Sequence, residues 1–141
     1  MKKVISVLMC LLPCFSFSVT ASAKTVPTNA VQPYYENARE AKSELIINGT
    51  TATCESTLKG DPDVIKIVAV QTLEKQGFLW SWGTYDDTEW TKTVYSNTLT
   101  MSNTKTGLSG GKYRLKTVFT LTDKQNKTET ITVYSDEKTV G

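Results

Sequence analysis

The stretch Gly110-Gly111-Lys112-Tyr113-Arg114-Leu115-Lys116-Thr117-Val118-Phe119-Thr120-Leu121 decides the fold. Tyr113, Leu115, Thr117, Phe119 and Leu121 fall on one phase, and Lys112, Arg114, Lys116 and Thr120 on the other. Successive side chains leave opposite faces of a pleated backbone, so this alternation predicts a strand buried on one side. A polar turn, Asp123 to Lys127, leads into a second strand-like run from Thr128 to Tyr134, and the two read as an antiparallel hairpin. A tyrosine just after a turn, at the start of a late strand, marks the penultimate strand of an immunoglobulin-like sandwich. The Tyr113 hydroxyl is therefore expected to bond to backbone a few residues upstream, near Leu108.

Working toward the N-terminus, further strands come into view. Val64 to Gln76 is the most apolar run after the leader, rich in β-branched residues, and is expected to be a central strand. Phe78 to Tyr85, Glu89 to Tyr95 and Thr98 to Ser102 read as three shorter strands. Glu36 to Ser43 is ambiguous between helix and strand, but it feeds into Leu45-Ile46-Ile47 and then Asn48-Gly49, a strong hairpin dipeptide. Ala41 to Ile47 is accordingly paired with Thr51 to Leu58. Gly60-Asp61-Pro62-Asp63 is a turn. The sum is an all-β chain, an antiparallel Ig-like β-sandwich of about seven or eight strands over residues 38–141.

The first residues carry an address. Lys2 and Lys3 precede an apolar run from Val4 to Phe17, and Ala21-Ser22-Ala23 has the small-x-small form cleaved by signal peptidase. The run is shorter than the roughly 20 residues that span a bilayer. Met9 and Pro13 before Cys10 and Cys14 are poor lipoprotein signals. Residues 1–23 are read as a bacterial signal peptide, residues 24–37 as an extended segment, and the product as secreted and extracellular.

Residues 1–23 hold two of the 16 basic side chains and none of the 14 acidic ones, so the exported chain carries 14 of each. Its formal net charge of zero and the absence of a basic stripe argue against nucleic acid, whose affinity rests on neutralised phosphates. No basic amphipathic helix points to a membrane surface, and no membrane insertion is expected after cleavage. One cysteine remains, Cys54, in phase with Ala52 and Leu58. A disulfide framework is excluded, and Cys54 reads as a small buried hydrophobe opposite Leu115.

Chemistry is mostly ruled out. The chain has no histidine, which removes Ser-His and Cys-His nucleophiles and histidine metal sites. Gly107-Leu108-Ser109-Gly110-Gly111 has the spacing of a nucleophile turn, but no base accompanies it in the sequence and the strand-turn-helix setting is missing. Asp61 with Asp63, and Asp86-Asp87 with Glu89, are the remaining acidic groups. They invite glycoside hydrolysis or calcium binding, yet neither forms a full ligand loop, and aspartate is common in turns. No catalytic residue, metal or cofactor is expected, and the protein is not read as an enzyme.

Pro33-Tyr34-Tyr35, the Asn48-Gly49 turn into Thr51-Ala52-Thr53-Cys54, Gly110-Gly111-Lys112-Tyr113-Arg114-Leu115-Lys116 and Thr128-Glu129-Thr130-Ile131-Thr132-Val133-Tyr134-Ser135 together resemble a family of small secreted proteins of Gram-positive bacteria with an Ig-like domain of unknown function. The resemblance spans Pro33 to Val140 and implies secretion and a sandwich. Its motifs mark strands and turns and bring no catalytic residues. Phe78 to Trp90 is richer in aromatics and acids than such proteins lead one to expect.

That segment is the functional candidate. All three tryptophans lie between Trp80 and Trp90, with Tyr85 among them. Trp80 and Trp82, two apart on an expected strand, would share a face with Phe78. The cluster is either core, as a buried tryptophan is in Ig domains, or an exposed platform for a sugar ring or a protein. Trp80, Trp82, Tyr85 and Trp90 are the candidate binding residues, and a cell-envelope protein or glycan the candidate partner. The expected function is a secreted, non-catalytic binding or structural module. An antagonistic or signalling factor and a carboxylate-only carbohydrate-active enzyme are the alternatives.

Overall fold

The computed structural model describes residues 34–141; the expected leader at 1–23 and residues 24–33 of the extended segment lie outside them. Eight strands run in the order β1 (Ala38–Asn48), β2 (Thr51–Gly60), β3 (Val64–Gln76), β4 (Trp82–Val94), β5 (Thr98–Lys105), β6 (Gly111–Asp123), β7 (Thr128–Tyr134) and β8 (Lys138–Val140). They form two antiparallel sheets, β1-β2-β5 and β4-β3-β6-β7, with β8 pairing the start of β6 where β7 has ended. The expected sandwich is present. In the seven-strand Ig arrangement the fourth strand joins the first sheet; here β4 stays beside β3 in the second.

The ambiguous N-terminal segment is strand from Ala38 onward. Its polar residues alternate with Ala41, Ser43 and Leu45, and an edge strand needs only one apolar face. Residues 34–37 precede the first strand, and the Glu129 carboxylate accepts the Glu36 and Asn37 N–H groups at 3.0 and 2.8 Å. The first hairpin turns one residue later than expected. Asn48 pairs with Thr51, and Gly49, at φ +61°, opens a two-residue loop with Thr50. Positive φ at the first loop residue alone is the pattern of a type II′ turn, which only glycine adopts cheaply.

Between the sheets lie two apolar clusters. One gathers Leu58, Ile67, Leu99, Phe119, Leu121 and Ile131, and the other Leu45, Cys54, Leu73, Leu108, Tyr113 and Leu115. Cys54 has no exposure, and burial pushes its thiol up to about 12, so it packs as a neutral hydrophobe beside Leu115.

A polar belt separates the clusters; the sequence reading put Thr117 on the inward phase but did not join it to the other four residues. Asn103 Nδ2 donates to Gln71 Oε1 at 2.8 Å, and Gln71 Nε2 donates to Ser56 Oγ at 2.7 Å and to the Cys54 carbonyl at 3.1 Å. Ser56 and Ser43 each hydrogen-bond Thr117 Oγ1, at 2.7 and 2.9 Å. Five strands thus each contribute one polar side chain at the same level. Among the described residues no buried side-chain nitrogen or oxygen lacks a partner. A strand slipped by two residues would put a polar group into an apolar cluster, so the belt fixes register.

Tyr113 is fully buried and its hydroxyl donates to the Ser109 carbonyl at 2.7 Å, the corner bond expected from the sequence. Tyr113→Phe should cost about 1 kcal/mol, the net value of one hydrogen bond, read as a lowered urea midpoint with an unchanged slope. An unchanged midpoint would show that the bond adds nothing.

Candidate functional site

The segment from Phe78 to Trp90 does not form the two strands expected of it. β4 is one strand from Trp82 to Val94 with a bulge inside it. Thr72 pairs with Glu89 and Glu74 with Thr84, so the four residues Tyr85 to Thr88 oppose Leu73 alone. Asp86 and Asp87 take φ of +26° and +50° there. The buried Thr88 hydroxyl ties the bulge down by donating to the Leu73 carbonyl at 3.0 Å and to the Tyr85 carbonyl.

Phe78, Leu79 and Trp80 are not strand at all. They form a tight turn between β3 and β4, with Leu79 and Trp80 at φ +55° and +63°. Gly77 N–H donates to the Ser81 carbonyl at 2.7 Å, and Ser81 Oγ donates to the Phe78 carbonyl at 2.8 Å, closing the loop on itself. The three side chains are 86, 77 and 78 % exposed. Left-handed backbone at a bulky residue costs roughly 1–2 kcal/mol. The turn therefore carries three large apolar side chains in water and two strained residues at once. Trp80 and Trp82 do not share a strand face, because the turn intervenes between β3 and the start of β4.

The four sequence candidates go to four environments. Trp80 stands at the tip. Trp82 is half-buried, its ring 4.3 Å from the Arg114 guanidinium carbon, and Tyr134 lies at the same 4.3 Å from that carbon. Arg114 Nε also donates to Glu74 Oε2 at 2.6 Å. One row thus crosses β4, β3, β6 and β7 just behind the tip. Tyr85 turns the other way and meets Tyr113 edge-on, centroids 5.2 Å apart. Hydrogen bonding from Ser109 holds its phenol below the ordinary value. Trp90 pairs with Gln71 and packs against both apolar clusters at the level of the belt. The structure thus joins Trp80 to Phe78 and Leu79, and does not assemble one four-residue platform.

Beside the tip lies a shallow cleft of about 490 Å³ whose lining includes Lys75, Gln76, Ser81, Trp82 and Tyr85. The exposure of Leu79 was the signal the sequence could not supply, since its apolar character alone reads as core.

Of the two acidic groups, the first is taken up by cations. Asp61 pairs with Arg39 at 2.7 Å and Asp63 with Lys124 at 2.9 Å, so these two carboxylates bind separate cations. Among the described residues no three His, Cys, Asp or Glu side chains gather to hold a metal. Ser109 has a neighbour the sequence did not show: Lys75 Nζ stands 2.7 Å from its Oγ. Lys75 Nζ also lies 5.8 and 5.5 Å from the Tyr85 and Tyr113 ring centroids. Lys75 Nζ donates to the serine oxygen and stands near both rings, so it ties the turn to β3. The loop is a tyrosine corner braced by a lysine.

No family model matches the chain, and no curated protein does. Among solved structures it is similar to wild-type OgpA from Akkermansia muciniphila, at 13 % identity and a TM-score of 0.40, covering 79 % of this chain and 32 % of that one. It is also similar to catalytically inactive OgpA in complex with an O-glycopeptide, glycodrosocin, at 15 % identity, TM-score 0.39, and 76 % and 31 % coverage. The chain spans about a third of the length of those structures. Likeness this distant carries no argument about function.

Proposed function

We propose that this chain is an exported, non-catalytic binding module of the bacterial cell envelope, and that it meets its partner through the β3–β4 tip. The observation that carries the reading is the exposure of Phe78, Leu79 and Trp80 together on a self-closed, strained turn. Exposed apolar clusters and retained backbone strain are both costs to the free protein, and both collect where proteins bind. The leader-like residues 1–23, the lack of histidine and the separately paired Asp61 and Asp63 support export and the absence of catalysis.

The test is capture of envelope material by immobilised residues 24–141, compared with a Leu79→Gly/Trp80→Gly variant. Loss of two apolar anchors should weaken capture at least about tenfold, as hot-spot truncations do. Equal capture by both proteins would refute the reading.

A further inference from the structure

Resting on that reading, we infer that the partner of the tip is a lipid bilayer, with Phe78, Leu79 and Trp80 seated at the boundary between headgroups and acyl chains. Three features of the tip choose this occupant over a protein or a glycan. The first is area. Aromatic side chains bury roughly 150–250 Å² each, so Phe78 and Trp80, even with Leu79 between them, fall short of the roughly 800 Å² per partner of a stable protein interface. A bilayer needs no complementary pocket and rewards apolar area alone.

The second is polarity. Apart from the indole N–H, the three side chains offer no hydrogen-bonding group, and the Ser81 hydroxyl is already spent on the Phe78 carbonyl. Sugar rings need polar partners for their hydroxyls, which the tip does not present. The headgroup boundary suits the turn's backbone: Gly77 with Ser81 and Ser81 with Phe78 close its ends, and the N–H groups of Leu79 and Trp80 are left for headgroups and interfacial water.

The third is what stands behind the tip. Trp82 begins β4 next to Ser81, stacked on Arg114, with Tyr134 on the same guanidinium. Trp, Tyr and Arg are side chains with apolar bodies and polar ends, the kind that settles at headgroup depth. The absence of a basic amphipathic helix removes one route to a membrane surface; an inserted turn is another. The tip carries no charge and residues 24–141 are formally neutral, so attachment is apolar and indifferent to salt.

The experiment is flotation of residues 24–141 with phosphatidylcholine vesicles, with and without phosphatidylglycerol, at low and high salt. The leader is left off because its apolar run would itself bind lipid. Wild-type protein should float with both vesicle types at both salt levels, and brominated acyl chains should quench its tryptophan fluorescence. Leu79→Gly/Trp80→Gly should reduce vesicle binding at least about tenfold, as expected when apolar burial drives attachment. Three results would overturn the inference: no flotation of the wild type, equal flotation of the variant, or tip-dependent self-association without flotation. Tip-dependent envelope capture without flotation would remove the bilayer and leave the proposed function intact. Tip-independent capture would remove the proposed function itself.

Discussion

Gln71→Leu is expected to destabilise the domain by about 3–4 kcal/mol, although leucine nearly matches the glutamine in volume. Gln71 is fully buried at the centre of the polar belt, and its amide serves Asn103, Ser56 and the Cys54 carbonyl together. Leucine removes the acceptor of the Asn103 amide and one bond each from the Cys54 carbonyl and from Ser56, which keeps Thr117; a buried group stranded in this way costs about 1–3 kcal/mol, and each further lost bond about 0.5–1.5 kcal/mol. For a domain of this size, such a loss should lower Tm by well over 10 °C, since 1 kcal/mol corresponds to about 4–8 °C. Asn103→Leu in the same chain should cost less than the sum of the two single changes, because they share one hydrogen bond. Thermal unfolding of the two single variants and the double variant measures this. A Gln71→Leu protein as stable as the wild type would show that the belt contributes nothing to stability, and strict additivity would show that Gln71 and Asn103 do not act through their shared bond.

Arg114→Ala comes next, at about 2–3 kcal/mol. Arg114 sits between the rings of Trp82 and Tyr134 and bonds Glu74, whose side chain is 11 % exposed against 22 % for Arg114. Its removal takes away two cation–π contacts, each worth about 0.5–2 kcal/mol depending on desolvation. It also leaves a mostly buried carboxylate without its cation, a penalty reduced here by the remaining solvent access. Arg114→Lys should restore only part of the loss, because an ammonium cannot lie flat between two rings while bonding a carboxylate. Full rescue by lysine in chemical denaturation would mean that charge alone, and not the planar stack, holds the row together.

Much of the sandwich was legible because a period of two survives in the strands. Tyr113 to Leu121 alternates without a break, and β6 follows it residue by residue. The belt was also written there, as one polar residue in the inward phase of five of the eight strands: Ser43, Ser56, Gln71, Asn103 and Thr117. It went unread because the meaning of each depends on the four others, which only the packing of two sheets brings to one level. The tip failed for another reason. Phe78, Leu79 and Trp80 have the composition of a strand, and nothing local shows that their backbone turns left-handed. Ser81 and Gly77 hold that turn through hydrogen bonds within the loop, which strand-like composition does not register. The four-residue bulge at Tyr85–Thr88 likewise made one strand look like two. After the bulge Trp90 packs on the core, whereas Trp80, before it, faces solvent.

The claim that the tip is built for contact and not for stability is tested most directly by one pair of readings on the Leu79→Gly/Trp80→Gly variant. Glycine adopts positive φ without penalty, so the variant relieves strain while deleting two exposed side chains that pack against nothing in the core. Its Tm should equal or exceed that of the wild type, while its capture of envelope material falls at least about tenfold. A Tm lowered by several degrees, or capture at the wild-type level, would contradict the account.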